Sequence, residues 1–131
     1  MTKIGVPLGS KIISAKQTVK SNSALIVFGQ GTSVLFMFNP DPTLNTVYMN
    51  SRADNGAAWG APESFHYDGS APLDATIVAS NNGFLVMINQ EFQYFFKARI
   101  PITNFRAIEA VNEVFAPVTS NWQVTVDGVV I

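Results

Sequence analysis

The chain has no cysteine. That excludes disulfides, thiolate zinc sites and a cysteine nucleophile, and it leaves the redox compartment open. Charge is scarce: charged residues make up 13% of the chain and the net charge is −1. No Lys/Arg cluster occurs, so the electrostatic footprint of nucleic-acid or anionic-membrane binding is missing. Histidine is limited to His66. No carboxylates stand at metal-ligand spacing, so neither a metal nor a cofactor is expected. Apolar runs stay far short of the ~18 residues of a membrane span. The opening "MTKIGVPLGSKIISAK" is broken by Gly5, Pro7, Gly9 and Lys11 and has no signal-peptide core. The expectation is a soluble chain made in the cytoplasm, without membrane insertion.

What the chain does have is apolar surface and punctuation. Apolar residues make up 47% of its 131 residues, ten of them phenylalanine. A chain of this length predicts a single domain over 1–131 with a real core. Gly, Pro and Asn clusters recur every ~8–12 residues, and the runs between them are rich in Val, Ile, Phe and Thr. Strands are predicted at 11–19, 23–28, 33–38, 45–50, 63–67, 74–79, 84–88, 91–97, 103–109 and 121–127, with a weaker one at 112–116. Helical periodicity is weak everywhere; 103–115 is its best window. Residues 1–9 read as a tail along the sheet, since Pro7 forbids a central strand.

About 10–11 short strands with frequent turns predict an all-β fold, two antiparallel sheets packed face to face as a β-sandwich. Gly29–Thr32 and Ser80–Gly83 supply turns, and Asn89-Gln90 is a two-residue hairpin candidate. Strict alternation in "EFQYFFK" puts Phe92, Tyr94 and Phe96 on one face and Gln93, Phe95 and Lys97 on the other. In "SVLFMF" both faces are apolar. That strand is either covered on both sides or turns one face to a partner or ligand.

Catalytic constellations fail on geometry. Ser64, His66 and Asp68 alternate along one strand, which is wrong for a nucleophile and its base. Glu63 and Glu91 do not define a glycosidase pair. No catalytic residue is assigned and no enzyme is expected. "GQGT" lacks the lysine and following helix of a phosphate loop.

Binding by stacking is left. In "NSRADNGAAWG" Trp59 carries a large indole on a polar loop. An aromatic face beside amides can hold a sugar: the ring meets the C–H face of a pyranose, and Asn both donates and accepts. If 33–38 and 45–50 are antiparallel neighbours, Asn39 and Asn50 share a sheet face with Trp59 looping back over it. The alternative is that Trp59 plugs one end of the sandwich and the asparagines only form turns.

"GQGTSVLFMFNPDPTLNTVYMNSRADNGAAWG" resembles the sugar-binding core of the galectins. Phe38-Asn39-Pro40 matches the family's Phe-Asn-Pro, Val47 to Asn50 matches its second asparagine strand, and Trp59-Gly60 matches its Trp-Gly. "GFLVMINQEFQYFFKARI" resembles its later hairpin, with Phe96, Arg99 and Ile100 in register, and "SNWQVTVDGVVI" resembles its last strand. The resemblance spans about 6–131 and implies a galectin-like jelly roll that binds β-galactosides or a related oligosaccharide. The departures are specific. Met37 stands at the family's histidine, and the family's first arginine falls on Asp41 or is lost to a local shift. Glu63 stands in for a glutamate one residue out of step, with no arginine after it. The resemblance therefore implies a glycan site on Asn39, Asn50 and Trp59, with Glu63 and Arg52 as candidate helpers and Arg52 otherwise a solvated loop charge. It also implies altered or weakened specificity. A homo-oligomer is expected, together with a cytoplasmic location or export without a signal peptide. The competing reading is a galectin fold that has lost sugar binding and serves as an interaction or structural module.

Overall fold

The computed structural model describes residues 6–7, 10–17, 21–112 and 121–130. Its strands are β1 (Val6–Pro7), β2 (Lys11–Gln17), β3 (Ala24–Phe28), β4 (Val34–Asp41), β5 (Thr46–Arg52), β6 (Glu63–His66) and β7 (Asp74–Ser80). They continue as β8 (Gly83–Ile88), β9 (Glu91–Lys97), β10 (Asn104–Phe105), β11 (Ala107–Val111), β12 (Trp122–Val126) and β13 (Val129–Val130). A five-stranded sheet runs β11-β3-β4-β5-β6 and a six-stranded sheet runs β13-β12-β2-β7-β8-β9; β1 pairs with β10. Every pairing among these strands is antiparallel. The predicted all-β, two-sheet architecture is therefore the observed one.

Phenylalanine fills the space between the sheets. Phe36 stacks on Phe84 at 4.5 Å between ring centroids and lies 5.2 Å from Phe96. Phe84 in turn meets Phe105 edge-on at 6.4 Å. Phe36, Phe38, Phe84 and Phe96 have no exposed surface, and each such ring contributes about 3–5 kcal/mol against truncation.

Two bulges decide which side chains reach that core. In β4 the register jumps between Val34 and Met37, so Leu35 and Phe36 both enter the main core while Val34 and Met37 both face out. This resolves the doubly apolar "SVLFMF": one face is core, and the other carries a small apolar cluster that Trp59 partly covers. In β9 the register jumps between Tyr94, opposite Val86, and Phe92, opposite Met87. Gln93 is the extra residue. The expected common face of Phe92, Tyr94 and Phe96 is thus broken: Tyr94 and Phe96 pack on the core, while Phe92 turns out and is 62% exposed. Strict alternation fails wherever one strand carries an unpaired residue.

Other boundaries moved for identifiable reasons. β4 runs past the predicted Phe38 through Pro40 to Asp41. Pairing with β3 ends at Phe38, so Pro40 sits where β4 has one neighbour and its missing N–H leaves no gap in the ladder. β5 continues two residues past Asn50, which makes Arg52 a strand residue. The expected strand 103–109 is two pieces broken at Arg106, whose N–H donates to Phe28 O at 2.9 Å. The weak helical window at 103–115 holds β10 and β11 instead. Residues 113–120 are outside the described residues, and nearly all of the weak strand expected at 112–116 falls there. The hairpin at Asn89-Gln90 forms as predicted, with φ of 50° and 69°, the left-handed pair of a two-residue turn.

Candidate functional site

Antiparallel pairing of β4 with β5 puts Met37 opposite Asn50 and Asn39 opposite Tyr48. Cross-strand partners share a face, and so do residues two apart. Asn39 and Asn50 therefore lie on the outer face of the five-stranded sheet, as the sequence predicted. With Trp59 they line a groove of about 290 Å³. Ala24, Met37 and Val111 form its apolar side, and Asn22 and Asn112 complete the lining.

The loop that brings Trp59 over the sheet is fastened at several points. The Asp54 carboxylate accepts from Gly56 N at 2.7 Å, and Asn55 N donates to Thr32 Oγ1 at 3.1 Å. Gly60 N donates to Ser51 O at 3.2 Å. The indole is half-buried and packs on the outer cluster of Ala24, Ile26, Val34 and Val111. It neither plugs the sandwich nor stands free in solvent.

Arg52 is not the solvated loop charge of the alternative reading. It ends β5, and its guanidinium carbon lies 4.6 Å from the centre of the Trp59 ring. It does not line the groove and stacks on the Trp59 ring instead. The contact is a cation–π pair, worth about 0.5–1 kcal/mol where exposed.

Asn50 is 6% exposed, and most of its hydrogen-bonding capacity is spent inside the protein. Its Nδ2 donates to Gly60 O at 2.9 Å. Its Oδ1 accepts from Ser51 N at 2.8 Å and from Arg99 Nη1 at 2.9 Å. An amide has two lone pairs and two N–H groups, so Asn50 keeps one N–H for the groove and no acceptor. Asn39 Oδ1 is buried and has no hydrogen-bond partner among the described residues. An unmet acceptor of this kind costs about 1–3 kcal/mol.

Glu63 lies away from the groove. It pairs with Met49, a core residue, so its side chain points between the sheets. There Oε1 accepts from Tyr94 Oη at 2.5 Å and Oε2 from Arg99 Nη2 at 2.6 Å. Burial pushes its carboxyl up, but the Tyr94 and Arg99 hydrogen bonds and the Arg99 charge outweigh it and hold the group below the ordinary value. The same bond to Glu63, together with burial, pushes the Tyr94 phenol up. Asp41 caps the β4–β5 turn: its Oδ1 accepts from Thr43 N at 3.1 Å and Leu44 N at 3.3 Å. His66 is exposed on β6.

Sequence reasoning missed Arg99 as part of this region. It stands just past β9, 49 residues from Asn50, yet bonds Asn50, Glu63 and, at 2.5 Å through Nη2, Ala61 O. Its place in the family-like segment was the one available signal.

A two-sheet antiparallel sandwich with an aromatic ring and amides over one outer face defines the class, a lectin-like jelly roll. The family model described as galactoside-binding lectin matches residues 4–126. Human galectin-7 is 26% identical over 88 residues, which is 65% of this chain and 63% of galectin-7, less than two thirds of that relative's length. A double variant of human galectin-16 superposes with a TM-score of 0.67 at 26% identity, over 95% of this chain and 93% of that one. A tetrameric galectin from the ball sponge Cinachyrella superposes with a TM-score of 0.64 at 16% identity, over 95% of this chain and 96% of that one. The chain belongs to the galactoside-binding lectin family, the galectins, whose members bind carbohydrate rather than transform it.

Proposed function

We propose that this domain, spanning 1–131, binds a β-galactoside or related neutral glycan in the groove and performs no catalysis. A pyranose stacks on Trp59, and Asn39 and Asn50 hydrogen-bond its hydroxyls. The observation that carries this reading is the convergence of these three side chains on one groove. Asn50 offers an N–H that a sugar hydroxyl can accept, and Asn39 lines the groove with its Oδ1 buried. Glu63 and Arg52 act through the protein, on Arg99 and Trp59 respectively.

Met37 brings no hydrogen-bond donor where the family has histidine, and Asp41 brings a turn cap where it has arginine. A neutral hydrogen bond is worth about 0.5–1.5 kcal/mol and a charged one about 1.5–3. Loss of two such donors weakens a site by about one and a half to three powers of ten and removes the readout of one hydroxyl's orientation. Altered or weakened preference follows. The same observation favours the second reading, a galectin fold kept as an interaction module.

A glycan array with the parent and Trp59→Ala separates them. Binding to a defined glycan set, lost in Trp59→Ala, supports the lectin. An array with no signal for the parent leaves the interaction module.

Weak single sites gain strength when several are presented together. The outer face of the six-stranded sheet aligns Ile12, Val78, Leu85 and Phe95 across four strands. Ile12 and Phe95 are 49% and 42% exposed. That apolar strip and the sponge tetramer support a homo-oligomer; a monomeric mass by light scattering at micromolar concentration overturns it. The cytoplasm, or the exterior by leaderless export, is the proposed location, as is typical of the family.

A further inference from the structure

The groove's geometry is set by a residue that does not line it. We infer that Arg99 is the positioning residue of this site: one guanidinium fixes the Asn50 amide and the Trp59-Gly60-Ala61 backbone together. The inference rests on the groove being the glycan site.

Three acceptors converge on that guanidinium. Nη1 bonds Asn50 Oδ1, and Nη2 bonds Ala61 O and Glu63 Oε2. Asn50 in turn holds Gly60 O through Nδ2. Arg99 thus reaches the residues just after Trp59 directly through Ala61 and at second hand through Asn50. It also sets the sense of the amide. With Oδ1 occupied by Arg99 and Ser51 N, Asn50 can show the groove only an N–H.

Arg99 is itself aligned from behind. Its guanidinium lies over the Phe96 ring at 4.8 Å, and Tyr94 holds the far oxygen of Glu63. Phe96 and Tyr94 belong to β9 in the opposite sheet, so the register of one sheet orients a binding residue on the other. Gly60 gives the independent observation. A Cβ there would stand 2.5 Å from Arg99 Nη1 and 3.3 Å from Asn50 Oδ1. Real Cβ atoms do not approach so closely, so any side chain at 60 displaces the guanidinium or the amide. Arg99 occupies the space that a side chain at 60 would need.

Fluorine NMR with 5-fluorotryptophan tests this in the full chain, whose two tryptophans are Trp59 and Trp122. Trp122 is buried away from the groove and reports the fold. Arg99→Gln removes the charge and the fork; Arg99→Lys keeps the charge toward Glu63 but cannot bridge three acceptors in one plane. Gly60→Ala attacks the same contact from the other side. In all three variants the Trp59 resonance is expected to shift or broaden with the Trp122 resonance unmoved, and affinity for immobilised N-acetyllactosamine is expected to fall at least tenfold. Arg99→Lys should not restore either reading. A Trp59 resonance indifferent to all three substitutions overturns the inference, as does one that moves only in step with Trp122. A parent that binds no glycan, with a Trp59 resonance that still responds alone, upholds Arg99's positioning role and removes the lectin reading instead.

Discussion

Trp122 and Trp59 are the same side chain put to opposite uses. Trp122 is 5% exposed, its indole N–H donates to Ser23 Oγ at 2.9 Å, and its ring meets Phe38 edge-on at 6.5 Å. Trp59 is half-buried on a loop, backed by Arg52, with part of its surface lining a groove. The first satisfies every demand an indole makes, an apolar surround and one acceptor. The second sits in a scaffold of loop hydrogen bonds that leaves surface open. The difference lies in what covers each ring: a closed core at Trp122, and at Trp59 a loop that leaves part of the indole on the groove.

Substitution sharpens the contrast most at the tryptophans themselves. Trp122→Ala is expected to cost about 3–5 kcal/mol, a large share of a domain's stability, read from the urea midpoint. Trp59→Ala should cost only about 1–2 kcal/mol, for the part of the ring that is covered, yet abolish glycan binding. Equal stability losses at the two positions would erase the distinction.

Ser23→Ala strands the Trp122 N–H in a buried site at about 1–3 kcal/mol, less than Trp122→Ala, and leaves glycan affinity unchanged. Smaller again is Arg52→Gln. It removes the cation behind Trp59 at about 0.5–1 kcal/mol and should shift Trp59 emission without moving that of Trp122.

The pH dependence is the subtlest test. Glu63 is held below its ordinary value in the folded chain, so its contribution is fully present above the unfolded value of about 4.3. It is lost as pH falls through the lower folded value. Unfolding midpoints taken from pH 6 down to pH 3 should fall less steeply in Glu63→Gln than in the parent. Parallel curves would mean that the Glu63–Arg99 pair contributes nothing to the fold.

Much of this was legible in the residues. Turn vocabulary and β-branched runs located the strands, and the shared face of Asn39 and Asn50 needed only the pairing of two neighbouring runs. What stayed hidden depended on register. The bonds of Glu63 to Tyr94 and Arg99 follow from its pairing with Met49, which the sequence alone did not show. Phe92 was expected to share a face with Tyr94 and Phe96 because period-two counting cannot see the extra Gln93. Arg52 read as a loop charge because the strand was expected to stop at Asn50. Arg99 is brought to Asn50 by the packing of one sheet against the other, and nothing local in its neighbourhood announces that meeting.

The Asn89-Gln90 corner carries one more implication. Both residues hold left-handed backbone angles and neither is glycine, an arrangement that costs an ordinary side chain on the order of 1 kcal/mol or more. Asparagine adopts it more readily than glutamine. Such a bend is a weak local signal for the ribbon it closes, and the pairing of β8 with β9 holds it in place. An excised peptide covering that ribbon should stay unstructured in water, and the arm that delivers Arg99 owes its shape to the assembled sandwich.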